Sequence, residues 1–195
     1  MSGARIEAHL DLAELREAAE RVRALGRHPE PMLRAIGVGL VRNTQDRFDA
    51  EKDPQGQPWK ALSPAYKAVK KGPGILREAG MRGGLQGSIT FDLDGEGIVV
   101  GSIKAYAGIH QFGGTIKFPA RQGTIYRHYN AKTDELSTRF VKRSKSNFAQ
   151  DVMIPAYEVK MPARPYLGIS AEDEDTVLDV VEGYVARAIQ GKAVR

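Results

Sequence analysis

Cysteine is absent from the 195 residues. That excludes a disulfide framework, a cysteine-based zinc site and a thiol nucleophile, and it is compatible with a reducing compartment. Long apolar runs are missing too. Aliphatic stretches as short as Ile98-Val99-Val100 are the longest present, so no segment is predicted to span a bilayer. The N-terminus, MSGARIEAHLDLAEL, has charges where a secretory signal needs an apolar stretch, so no cleaved signal is expected.

Catalytic signatures are equally scarce. The four histidines, His9, His28, His110 and His128, form neither HExxH nor His-x-His. The glycines at 80, 83, 84 and 87 do not match GxGxxG, no GxxxxGK[ST] occurs, and neither Ser88 nor Ser102 sits in GxSxG. Asp92-Leu93-Asp94-Gly95-Glu96 superficially resembles a calcium loop, but position 103, where its closing Glu would fall, is Ile. No metal, cofactor or catalytic residue is therefore assigned. A hydrolase with a metal held by long-range convergence of His110 and His128 is the weakest alternative. His110 reads instead as a hydrogen-bonded structural histidine.

What is present is a chain of ordinary globular composition, 42% hydrophobic and 27% charged, with an uneven charge. Twenty-nine Lys and Arg stand against 24 Asp and Glu. Residues 115–161 hold nine of the basic residues and only four acidic ones, so this stretch carries the whole excess of +5.

Asp11 as cap, Glu14, and Leu12, Leu15, Ala19, Val22 and Leu25 at helical spacing predict a helix over 11–25, ended by Gly26 and Pro29. A second starts near Glu30-Pro31 and carries the stripe Leu33, Ile36, Leu40, Thr44, Phe48. Gly37 and Gly39 weaken it and permit close approach of another helix. Asp53-Pro54-Gln55-Gly56 predicts a turn. A short helix is expected over 63–69, followed by a glycine-rich connector, GMRGGLQG. Ile89, Phe91 and Leu93 then alternate with polar residues, Asp94–Gly97 turns the chain, and 98–102 returns as a β-hairpin.

Within the basic stretch, 124–129, 138–142, 151–155 and 157–161 read as strands of extended ribbons rather than of a packed domain. The last helix is capped by Ser170 and begins with acidic residues 172–175, expected as a solvated face. Its expected buried face is Val177, Leu178, Val181, Tyr184, Val185 and Ile189, and Gly191 ends it. The fold class is α+β: N-terminal helices and a C-terminal helix packed on a small antiparallel sheet. Residues 1–114 and 162–195 form the expected core domain, with 115–161 a basic β-rich arm inserted in it.

Arg139, Lys142, Arg143 and Lys145, interleaved with Phe140 and Phe148, fit two partners. They suit nucleic acid, with cations for phosphates and rings for stacking, or an acidic protein neighbour. The electrically neutral remainder offers no broad basic face for generic duplex binding, which favours protein.

Five pieces in order, RFDAEKDPQGQPWKALSPAY (47–66), ILREAGMRGGLQGSI (75–89), VGSIKAYAGIHQFGG (100–114), RFVKRSKSNFAQDV (139–152) and MPARPYLGIS (161–170), resemble the bacteriophage virion morphogenesis (tail completion) family of Mu-like phages. Met81 and Tyr166 are conservative departures, standing where Leu and Phe are usual. The resemblance implies a non-enzymatic late structural protein, acting in tail completion or head–tail joining. It would be made in the host cytoplasm and then carried in the virion. Such proteins work as homo-oligomeric rings, often sixfold, against the tail tube and the tail terminator or neck proteins, with DNA passing through the channel and no membrane involved. A ring requires heterologous contacts, and an arm can supply them by adding strands to a neighbour's sheet. Arg127, Tyr129, Arg139, Phe140, Lys142, Arg143, Lys145 and Phe148 are the expected arm contacts.

Asp53, Gly56, Trp59, Tyr106, His110, Gln111, Phe112, Gly113, Arg164 and Pro165 are the family-motif positions with structural roles. Trp59 should anchor the core beneath the Asp53–Gly56 turn. Tyr106, His110, Gln111 and Phe112 should fix the hairpin end against the helices, and Gly113 and Gly114 should turn the chain into the arm. Arg164 should pair with an acidic residue of its own or a neighbouring subunit.

Overall fold

A computed structural model describes residues 12–78, 84–95 and 97–191. The chain divides into two compact units. One comprises residues up to Phe112 together with those from Ala163 onward; the other is Gly113–Pro162.

The first unit is built on two long helices, α1 (Ala13–Arg27) and α2 (Glu30–Ala50), and closes with α5 (Ala171–Ile189). The expected Asp11 cap lies outside the described residues. Gly26 does not end α1, which runs one residue further before His28. α1 buries none of its residues fully, and Leu15 stays 62% exposed. It leans on α5, where the Arg21 Nε donates to the Ala188 carbonyl at 2.8 Å.

α2 is the central support. Its glycines let two different elements close in. A Cβ on Gly37 would lie 2.4 Å from the Phe91 ring, and one on Gly39 would lie 2.5 Å from the Thr176 methyl of α5. Only the second is the helix contact expected from the sequence; the first admits the sheet. That sheet is the hairpin of β1 (Ile89–Asp94) and β2 (Gly97–Ser102), in register from Ile89↔Ser102 to Asp94↔Gly97. Gly95 supplies positive φ at the turn, and Glu96 lies outside the described residues. At the open end the Ser88 and Ser102 hydroxyls share a hydrogen bond of 2.7 Å.

The core of this unit gathers Phe48, Trp59, Ile75, Leu85, Ile89, Ala107 and Tyr166. Phe48 sits at its centre, edge-on to Trp59 (centroids 5.4 Å apart) and tilted against Tyr166 (5.1 Å). A short helix, α3 (Pro64–Val69), is capped by Ser63, and a further single-turn-and-a-half helix, α4 (Ala107–Phe112), which sequence periodicity is too short to announce, follows the hairpin. The glycine-rich connector falls partly at 79–83, outside the described residues.

α5 corrects its sequence reading in two ways. Leu178 and Ile189, expected inside, are 58% and 53% exposed, whereas Asp173, expected on a solvated acidic face, is buried. Asp173 closes a capping box with Ser170 and forms an ion pair with Arg47 of α2.

The second unit is a ribbon of three antiparallel pairs. β3 (Gly114–Phe118) pairs with β8 (Tyr157–Met161), and β4 (Arg121–Arg127) pairs with β7 (Phe148–Ile154). β5 (Tyr129–Asn130) pairs with β6 (Glu135–Leu136). The first two pairs keep one register across a break where Pro119-Ala120 faces Pro155-Ala156, since proline cannot donate to the ladder. Residues 138–142, expected as a strand, are not one. They lie along β4 through a single bond, Val141 N–H to the Tyr126 carbonyl at 2.9 Å. No residue of 113–162 is buried. The architecture is α+β, with helices at both ends and small antiparallel sheets between them.

Candidate assembly interface

The chain leaves the first unit at Phe112 and returns at Ala163, and those two roots are fastened to each other. The Arg164 N–H donates to the His110 carbonyl at 2.7 Å. The Gln111 amide oxygen accepts from the Tyr166 and Leu167 N–H groups (2.9 and 3.0 Å), and its nitrogen donates to the Leu167 carbonyl at 2.9 Å. The Tyr166 hydroxyl donates to the Ala107 carbonyl at 3.2 Å, and burial raises its pKa. One glutamine side chain thus does the work of a strand, satisfying three backbone groups that would otherwise be orphaned. Gly113 (φ 70°) and Gly114 (φ 145°) then turn the chain into the ribbon in a conformation that only glycine adopts easily.

The return segment is held from the other side by the 53–59 loop. Asp53 Oδ1 accepts from the Gln55 and Gln57 N–H groups, and the Gly56 N–H closes on the Asp53 carbonyl at 2.9 Å. Gly56 has φ 79°. Pro54 of this turn packs where a Cβ on Gly168 would stand, 2.8 Å away. Trp59 is buried, and its indole N–H donates to the Pro165 carbonyl at 2.7 Å.

Arg164 is 4% exposed but finds no carboxylate among the described residues. In place of the expected ion pair, its guanidinium donates to the Lys60 carbonyl at 2.8 Å and the Ala61 carbonyl at 3.4 Å, and burial lowers its pKa. Chain carbonyls left over by the 60–61 loop replace the acid. His110 also departs from its reading. Its Nδ1 is buried without a hydrogen-bond partner among the described residues, and burial, then the Arg164 charge, lowers its pKa. Tyr106 packs edge-on to the imidazole at 5.9 Å and donates to Glu78 Oε1 at 2.9 Å. Phe112, expected to pack, is 81% exposed.

The predicted arm residues gather around one end of the β4–β7 pair. Arg127 and Phe148 are register partners, and the Arg127 guanidinium lies over the Phe140 ring at 5.3 Å. Arg139, Lys142, Arg143 and Lys145 stand exposed on the 137–147 loop, which carries no acidic residue. None of the four makes an ion pair within the described residues. Tyr129 is tied inward instead. Its hydroxyl donates to Asp134 Oδ1 at 2.6 Å, a bond that raises its pKa, and its backbone exchanges two hydrogen bonds with the Asn147 amide.

Sequence reading missed a buried polar group centred on Arg47 and Asp173. Arg47 contacts Asp173, the Tyr166 and Gly168 carbonyls (3.1 and 3.3 Å) and Ser170 Oγ (3.0 Å). Asn43 donates to Asp173 Oδ1 at 3.1 Å and to Thr176 Oγ1 at 2.9 Å. The available signal was positional: Asn43 and Arg47 are one helical turn apart, on the same face as Thr44 and Phe48.

Among the described residues no group of three or more His, Cys, Asp or Glu side chains gathers at metal-binding distance, and His110 and His128 belong to different units. No described helix is long and apolar enough to cross a membrane. The first unit presents a fastened root, and the second is a coreless ribbon with an exposed basic and aromatic end.

The chain is 25% identical over 160 residues to the "Putative capsid assembly protein G" of Escherichia phage Mu, covering 80% of each chain. It is 35% identical over 89 residues to "Mu-like prophage FluMu G protein 1" of Haemophilus influenzae, which is 43% of this chain and 60% of that protein. A second Haemophilus influenzae relative, "Mu-like prophage FluMu G protein 2", is 23% identical over 171 residues, 88% of each. No solved structure matches. The model of the phage virion morphogenesis family matches residues 10–186, and the chain therefore belongs to that family.

Proposed function

We propose that the chain is a non-enzymatic subunit of the phage particle that acts in tail completion or head–tail joining. In this reading copies assemble into a ring, and the 113–162 ribbon of each reaches a neighbour. One observation carries it. The first unit has a complete core, whereas the ribbon buries none of its 50 residues and so lacks the apolar burial that stabilises a free-standing domain. A ribbon of this kind is completed by a partner. The name of the Mu relative speaks of capsid assembly, which fits particle assembly without choosing between head, neck and tail.

The test is deletion of 115–160 with a two-residue turn joining Gly114 to Met161, which are register partners. The shortened chain is expected to unfold at an unchanged temperature, to stay monomeric by light scattering, and to be missing from purified particles. Particles that incorporate it normally would overturn the reading.

A second reading keeps its own support. The four unpaired cations of the 137–147 loop suit contact with DNA passing through a joint. It predicts binding to duplex DNA that weakens steeply with salt and falls when those cations are removed. Absence of binding at low salt would eliminate it.

A further inference from the structure

We propose that the outward face of α5 is the seat for the basic, aromatic end of the ribbon of a second copy of this chain. This rests on the assembly reading above and adds to it a specific pair of surfaces.

α5 is two-sided. Asp173, Tyr184 and Ala188 face the core, while Glu174, Asp175, Leu178, Asp179, Glu182 and Ile189 share the opposite, exposed sector. Residues 171–186 contain six carboxylates and no cation, and Asp173 is the only one of them ion-paired among the described residues. Asp175 and Asp179, four apart, repel each other. A merely solvated helix face would intersperse cations, as α1 does with its Glu17–Arg21 and Glu20–Arg23 pairs. It would also not hold Leu178 more than half exposed between Asp175, Asp179 and Glu182, with Ile189 exposed two turns further along the same sector.

The ribbon end is the complement of this face in both respects. Its 137–148 segment has four cations and no carboxylate, and Phe140 and Phe148 stand among them, the first 67% exposed. Rings can cover Leu178 while cations meet Asp175, Asp179 and Glu182, so that apolar area gives affinity and charge fixes the register. Every copy carries one of each surface. Their union is head-to-tail, the heterologous kind of contact that generates a ring when its rotation closes. A phosphate backbone satisfies only the cations of the ribbon and offers nothing to the exposed apolar residues of α5, so a second copy is the better occupant.

The experiment uses two charge-reversed versions of the purified full chain. One carries Arg139→Glu, Lys142→Glu and Arg143→Glu; the other carries Glu174→Lys, Asp179→Lys and Glu182→Lys. All six side chains are exposed, so both variants should keep the wild-type melting temperature. Self-association by sedimentation is expected to weaken about tenfold or more in each alone. An equimolar mixture should recover it as mixed pairs, because a reversed ribbon meets a reversed helix. A mixture no better than its components overturns the proposal.

A photoreactive benzoylphenylalanine at Phe140 gives a second readout, in solution and in assembled particles. Cross-links to 171–189 of another copy support the seat. Cross-links to the same chain's α5, to DNA or to another virion protein overturn it. Cross-links to a different face of a second copy overturn the seat while leaving the assembly reading intact. A wild-type chain that neither self-associates nor enters particles would overturn the assembly reading itself.

Discussion

The two units of this chain solve opposite problems. The first buries Trp59 and Tyr166 around Phe48 and then also buries charge, with Arg47 and Asp173 satisfied by each other and by neighbouring carbonyls. The second spends its residues on length and charge, and leaves Phe140, Met153 and Tyr157 in solvent. Hydrogen bonding is therefore common to both, but only the first has the apolar burial that makes a fold independent. The contrast teaches where sequence change should be felt as stability and where it should be felt as assembly.

The largest effect expected is in the first unit. Asp173→Ala leaves Arg47 buried without its anion and should cost about 3–5 kcal/mol in urea unfolding. A loss under about 1 kcal/mol would break the contrast at its strongest point.

Next comes Gly39→Ala. Alanine favours a helix by about 1 kcal/mol over glycine, but here its methyl meets the Thr176 methyl, and Thr176 is held by bonds to Asn43 and to the Glu172 carbonyl. Overpacking costs about 1–3 kcal/mol, so a net loss of up to about 2 kcal/mol is expected. Gly26→Ala, with open space around it, should instead gain up to about 1 kcal/mol.

Ile125→Ala in the ribbon should change the global unfolding of the isolated chain by less than about 0.5 kcal/mol, since Ile125 is only half-buried and lies in a unit without a buried core. A change of the size seen in core truncations, about 3 kcal/mol or more, would mean that the ribbon shares the first unit's cooperativity.

The smallest effect concerns pH. Burial, then the Arg164 charge, holds the His110 pKa below its ordinary value of 6.5. The unfolded chain therefore takes up the proton first. This favours the folded state fully above the ordinary value, and the advantage is lost as pH falls below it. His110→Gln should make the difference in melting temperature between neutral and mildly acid buffer smaller; an unchanged difference would remove His110 as its source.

Local rules made much of this fold legible. The α2 stripe, the Asp53–Gly56 turn, the short helix near 63–69, the Ser170 cap and the 89–102 hairpin each follow from residues close in sequence. What escaped depends on distant partners. Asp173 reads as one acid among four until Arg47 arrives from 126 residues away. Leu178 and Ile189 continue the helical apolar spacing yet face outward, because α1 and α2 cover only part of α5. Arg164, for which an acid of its own chain is one of two expected partners, finds carbonyls there instead. At the ribbon, β-propensity predicted a strand over 138–142. That stretch meets β4 through one backbone bond, Val141 N–H to the Tyr126 carbonyl, which is too little for a ladder.

Amide hydrogen exchange on the full chain, free and in assembled particles, tests the central contrast most directly. Amides of α2 and α5 should exchange only by global unfolding in both forms. Those of the β3–β8 and β4–β7 pairs should exchange about a thousandfold faster or more in the free chain and become protected on assembly. Ribbon amides as protected as α2 in the free chain, or unchanged in the particle, would contradict the account.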